Sequence, residues 1–112
     1  MTPKPTEFVE YLHEVFETFG PIRARRMFGG FGIYHDDLMF GLVADDVLYL
    51  KADAASAENF IARGLTQFEY MKQGKPMRLS YYTAPEEIFD DPDAAKAWAS
   101  LAFEAALRSR KK

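Results

Sequence analysis

A chain of 112 residues is long enough to bury its own core and short enough to be one domain. It has no cysteine, which excludes a disulfide framework and a thiolate metal site and fits the cytoplasm. The net charge of −3 is unevenly spread: Arg108, Arg110, Lys111 and Lys112 form a basic tail (108–112), so the body is acidic and poorly suited to a phosphate backbone.

The opening residues lead directly into an amphipathic pattern, and no apolar run approaches the roughly 20 residues a spanning helix needs, so a soluble intracellular protein is expected. The first helix is predicted over 6–19, with Thr6 as N-cap and a stripe of Phe8, Leu12, Val15, Phe16 and Phe19; Gly20-Pro21 stops it. Ile22 to Phe28 reads as a strand carrying Arg23, Arg25 and Arg26, and Gly29-Gly30 as a bend or bulge into the next. From there to Lys51 the chain reads as a β-meander broken at Asp36-Asp37 and Asp45-Asp46. Asp53 is a good N-cap for a short helix ended by Gly64. Gln67 to Lys72 and Met77 to Thr83 are predicted as two more strands around Gln73-Gly74-Lys75-Pro76. Pro85 opens a brief helical turn through Phe89. Asp91-Pro92 then starts the last helix, which runs to about Arg108 with a stripe of Ala94, Trp98, Leu101, Ala102 and Ala105. The fold class is α+β: a central antiparallel sheet, with a meander from about 22 to 51 plus later strands, packed with an N-terminal, a short middle and a C-terminal helix.

Two-residue turns fix a register in which Ile33 opposes Phe40, Gly32 opposes Gly41, and Leu42 opposes Phe31 and Tyr49. One face then holds Phe31, Ile33, Leu38, Phe40, Leu42, Val47 and Tyr49. The other holds Gly30, Gly32, Tyr34, Met39, Gly41, Val43, Leu48 and Leu50, with the paired glycines forming a trough. Both faces are apolar, so the sheet is expected to be covered on both sides by helices or a partner chain, and the chain to be a homodimer.

Catalytic and metal chemistry find little support. Gly29-Gly30-Phe31-Gly32 lacks the spacing of a phosphate-binding loop and reads as bend and packing glycines. His35 with Asp36 and Asp37, and Asp45 with Asp46, could suggest metal ligands, but the two aspartate pairs end a seven-residue strand, ~23 Å apart, and read as solvated turns. His13 is a surface histidine, Glu86-Glu87 and Asp90-Asp91-Asp93 favour a helix dipole, and no serine has a nucleophile setting. Neither cofactor nor metal is expected, nor an enzyme. Arg23 and Arg25 share a strand face and Arg26 takes the other, so the three are read as paired with carboxylates. Tyr34, Tyr49, Tyr70, Tyr81 and Tyr82 read as packing or interface aromatics rather than base-stacking platforms. The alternatives are direct nucleic-acid binding through Arg23, Arg25, Arg26 and the tail, or a small-ligand site built on the tyrosines and arginines.

The run Arg26-Met27-Phe28-Gly29-Gly30-Phe31-Gly32-Ile33-Tyr34, followed by Met39-Phe40-Gly41-Leu42-Val43 and Leu48-Tyr49-Leu50-Lys51, resembles the N-terminal domain of the TfoX/Sxy family of competence regulators. Met77-x-Leu79-x-Tyr81-Tyr82-x-x-Pro85 and the helix around Trp98 extend the likeness over nearly the whole chain. The resemblance implies a bacterial, cytoplasmic regulatory module without catalytic residues. It also implies a protein partner in the transcription machinery, such as the cyclic-AMP receptor protein. Full-length members carry a second, helical domain, and this chain ends at Lys112, as a stand-alone N-terminal domain or a truncated form. The motif and sheet aromatics expected to serve interaction or structure are Arg23, Arg25, Arg26, Met27, Phe28, Gly29, Gly30, Phe31, Gly32, Tyr34, Tyr49, Tyr81 and Tyr82.

Overall fold

The computed structural model describes residues 5–27 and 29–110, with their side chains from Glu7 onward. Phe28 and the last two lysines of the tail lie outside the described residues, as does the side chain of Thr6, whose backbone is already inside the first helix. Three helices and six strands follow the expected order: α1 Pro5–Val15, β1 Arg23–Met27, β2 Gly30–His35, β3 Leu38–Ala44, β4 Val47–Lys51, α2 Ala57–Ile61, β5 Gln67–Lys72, β6 Lys75–Thr83 and α3 Pro92–Arg110. One antiparallel sheet runs β1-β2-β3-β4-β6-β5. The fold is α+β.

Local chemistry explains most boundaries. Asp36-Asp37 and Asp45-Asp46 have positive φ at both positions, as do Gln73 and Gly74, the demand of tight hairpin turns that Asp and Gly meet at little cost. Residues 16–19 continue α1 as a turn before Gly20, whose φ is +145°. The Asp53 carboxylate accepts hydrogen bonds from the amides of Ala55 and Ser56, while Ser56 Oγ accepts one from the Asp53 amide. This reciprocal cap starts a turn that leads into α2. Gly64, at φ +71°, closes α2, and the Leu65 amide reaches back to the Phe60 carbonyl. At α3, the Asp91 carboxylate receives the Asp93 and Ala94 amides and Pro92 opens the first turn.

The meander register is corrected by one residue. His35 opposes Leu38 and Tyr34 opposes Met39 as expected, but Ile33 then opposes Gly41, Gly32 opposes Leu42 and Phe31 opposes Val43. Phe40 is the extra residue of a β-bulge. Phe40 is fully buried against Phe16 and Phe19, with ring centroids 5.7 and 5.3 Å away. Gly41, opposite Ile33, leaves room beside it, since a Cβ there would lie 3.3 Å from that of Ile33. The slip moves every later side chain to the other face. Val43, Leu48 and Leu50 join Phe31, Ile33 and Phe40 in the core, and Leu42, Val47 and Tyr49 leave the helical side. The expected Gly32–Gly41 pair does not form.

All three helices pack on that core face. The line that α3 buries is Ala95, Ala99, Ala102, Ala105 and Ala106, one residue off the expected stripe at its start, with Trp98 and Leu101 partly buried beside it. Alanine at these positions brings the helix axis close to β3 and β4. Phe60 of α2 stacks on Tyr82, centroids 5.4 Å apart, and meets Trp98 edge-on at 5.1 Å. No described helix is long and apolar enough to cross a membrane.

Candidate interaction surface

The register correction determines what the second sheet face carries. Cross-strand partners share a face, so β1 contributes Arg23, Arg25 and Met27, which oppose Tyr34, Gly32 and Gly30 of β2. Met39 and Leu42 follow on β3, Val47, Tyr49 and Lys51 on β4, and Tyr81 and Thr83 on β6. No described helix covers these residues. Beyond Ser80, β4 no longer pairs with β6, so the β5–β6 hairpin extends past the sheet as a two-stranded arm. That arm curls inward, since Met27 of edge strand β1 and Phe68, Tyr70 and Met71 of edge strand β5 line one hollow of about 390 Å³ together with Met39, Leu42 and Leu79. The sheet is therefore concave here. Phe68 meets the Tyr49 ring edge-on at 4.9 Å, which ties the arm to the face.

Among the described residues, helices thus cover one face of the sheet. Met71 is 66% exposed and Met77 42%. A second hollow, of about 320 Å³, lies along the same strands and is lined by Arg23, Arg25, Tyr34 and Asp37. Between the two sits Gly32, where a Cβ would lie 2.8 Å from Met27 Sδ, 3.0 Å from Tyr34 Cε1 and 3.1 Å from Met39 Sδ. The missing side chain lets these three groups close together over the strand.

The arginines divide by partner. Arg23 pairs with Asp37 at 3.6 Å, Arg78 with Glu69 at 3.1 Å, Arg108 with Asp53 at 2.6 Å, and Arg63 with Glu87. Arg25 and Arg26 have no carboxylate partner among the described residues, which corrects the expectation of structural pairing for these two. They lie over aromatic rings instead, Arg25 at 5.8 Å from the Tyr34 centroid and Arg26 at 5.4 Å from that of Phe31. Lys51 sits similarly 5.1 Å over Tyr81. Burial pushes the Tyr81 hydroxyl up to about 12, with neighbouring Tyr34 adding to the shift, so this ring stays neutral beneath the lysine.

The expected residues do not form one patch. Arg23, Arg25, Met27, Gly30, Gly32, Tyr34, Tyr49 and Tyr81 share the concave face. Arg26, Phe31 and Tyr82 belong to the helical side, Gly29 is an exposed turn glycine at φ +75°, and Phe28 lies outside the described residues. Residues that sequence reasoning left out are Met39, Leu42, Phe68, Met71 and Leu79. The alternation of Phe68 with Tyr70 and Leu79 with Tyr81 signalled a common face; that this face curls onto β1 is a tertiary property. His35 Nδ1–H donates to the Pro21 carbonyl at 2.7 Å and the ring is wedged against Phe19 and Phe103, so it serves as a packing group.

The model of the TfoX N-terminal domain matches residues 14–106. Protein Sxy of Escherichia coli (strain K12) is 29% identical over 97 residues, covering 87% of this chain and 46% of that protein. DNA transformation protein TfoX1 of Aliivibrio fischeri (strain ATCC 700601 / ES114) is 30% identical over 91 residues, covering 78% of this chain and 43% of its own. The chain thus spans a little under half the length of these curated relatives. A match over residues 14–106, most of the chain, makes it a member of the TfoX N-terminal domain family.

Proposed function

We propose that the chain is a non-enzymatic regulatory domain that binds a protein through the concave face of its sheet, in the control of DNA-uptake genes. The carrying observation is the asymmetry of the sheet. Three helices seal one face, while the other leaves methionine and aromatic side chains open beside Arg25, which has no carboxylate partner among the described residues. Methionine-rich apolar surfaces adapt to partners because the thioether chain is flexible and polarizable. Family membership gives the context, since a relative is a DNA transformation protein. The transcription machinery, with the cyclic-AMP receptor protein first, is the proposed partner. Cytoplasmic location belongs to the same reading.

The test is size-exclusion chromatography with light scattering on the purified chain, alone and mixed with the cyclic-AMP receptor protein and cyclic AMP. Co-elution supports the reading. Separate elution of the two folded proteins removes this partner. Self-association is the second reading, favoured by exposed Val47, Met71 and Met77. A mass of 12.8 kDa for the chain alone removes the homodimer, and twice that supports it.

A further inference from the structure

We propose that the concave face also holds a small amphipathic anion, an acyl or arylalkyl carboxylate, with its tail in the hollow over Leu42 and its head on Arg25. This goes beyond protein docking and does not depend on it. The hollow of about 390 Å³ is apolar, and its one side chain with a hydrogen-bonding group is Tyr70. Such a lining suits an alkyl or aryl tail and leaves the polar edge of a nucleobase without partners. A cavity of ~150 Å³ takes a benzene, so this one takes about fifteen non-hydrogen atoms.

Charge orients the ligand. The chain is acid-rich, with 17 carboxylates to 14 basic residues, yet the strand residues of this face carry Arg23, Arg25 and Lys51 and no carboxylate. Asp37, in the adjoining turn, is taken by Arg23. Asp45 and Asp46 follow Ala44 at the opposite end of the hollow and repel an anionic head from that side. Arg25 precedes Met27 by two residues on one strand face, about 7 Å from it, and borders the second hollow. Its guanidinium is steadied over Tyr34 without a carboxylate, leaving its fork of donors free for a bidentate acceptor. Met27 and Met39 meet over Gly32 between the hollows, and their flexible side chains can part around a tail.

The test is isothermal titration calorimetry of the full chain with decanoate, below its micellar range, and with 1-decanol as the neutral match. The expected result is one decanoate per chain, with decanol roughly tenfold weaker, and Arg25→Gln reducing decanoate to the level of decanol while leaving decanol unchanged. Leu79→Gln, in the hollow wall, is expected to weaken both ligands without altering the circular dichroism spectrum. Absent binding to the folded chain, uptake of many molecules per chain, or an Arg25→Gln variant that keeps its preference for decanoate would each overturn the proposal. Because no protein partner is present, the outcome is separate from that of the co-elution experiment.

Discussion

Gly30→Ala against Gly32→Ala tests the bulged register through two neighbouring glycines of one strand. A Cβ on Gly30 would lie 2.1 Å from the Val43 carbonyl oxygen, 3.2 Å from its carbon and 3.5 Å from Ala44 Cα, all backbone atoms that no side-chain rotation can move. Relief requires β3 to retreat by about 1 Å, which strains the ladder where Phe31 opposes Val43. Overpacking costs about 1–3 kcal/mol, and one or two weakened ladder bonds add about 1 kcal/mol each, so a loss near 3–4 kcal/mol is expected. At Gly32 the near atoms are the sulfurs of Met27 and Met39 and the edge of Tyr34. The thioethers can swing aside, and the reduced entropy of the unfolded chain offsets part of the strain, leaving a cost within about 1 kcal/mol. Urea unfolding monitored by circular dichroism reads both. For a chain of this size each kcal/mol corresponds to roughly 4 °C, so melting should fall by more than 10 °C for Gly30→Ala and by a few degrees for Gly32→Ala. Equal losses, or a Gly30→Ala variant near wild type, would refute the close approach of β2 and β3.

Further outcomes follow from the same geometry. Leu48→Asp places a carboxylate among core residues and should cost more than about 3 kcal/mol, whereas Val47→Asp, on an exposed turn-proximal residue, should cost under about 1 kcal/mol; the unbulged register reverses this order in chemical denaturation. Phe40→Ala should remove about 3–5 kcal/mol, since the ring is fully buried against Phe16 and Phe19, with the urea midpoint as readout. Hydrogen bonding from Arg108 holds the Asp53 carboxyl down at about 2, against an ordinary 3.8. A depressed folded value gives stability that is present above pH 3.8 and is lost as pH falls toward 2. Arg108→Gln should therefore flatten that part of the acid-unfolding curve, and an unchanged slope there would remove the pair as its cause.

Hairpin chemistry is local, and so the hairpins were legible. Asp36-Asp37 and Asp45-Asp46 occupy the positive-φ positions their type suggested, and Asp53 caps the turn into α2. The bulge was not legible, because nothing around Phe40 marks it locally. It follows from where that ring packs, against Phe16 and Phe19 in the turn just after α1, more than 20 positions away in sequence. From this one residue the face assignment of β3 and β4 inverted. The separation of Arg26 from Arg23 and Arg25 was readable from strand alternation alone. Their partners were not, since whether an arginine finds a carboxylate or a ring depends on which turn or strand lies opposite. Likewise the alanine line of α3 reflects the sheet beneath it, while periodicity alone placed the stripe around bulky Trp98.

The central claim, that the concave sheet face is the functional surface, is tested most directly by backbone amide chemical shifts of the labelled chain, recorded with and without the cyclic-AMP receptor protein and cyclic AMP. The account predicts shifts concentrated at Arg25, Met27, Met39, Leu42, Tyr49 and Leu79, with α3 unaffected. Shifts confined to the helical face, or a spectrum unchanged at saturating receptor protein, would contradict it.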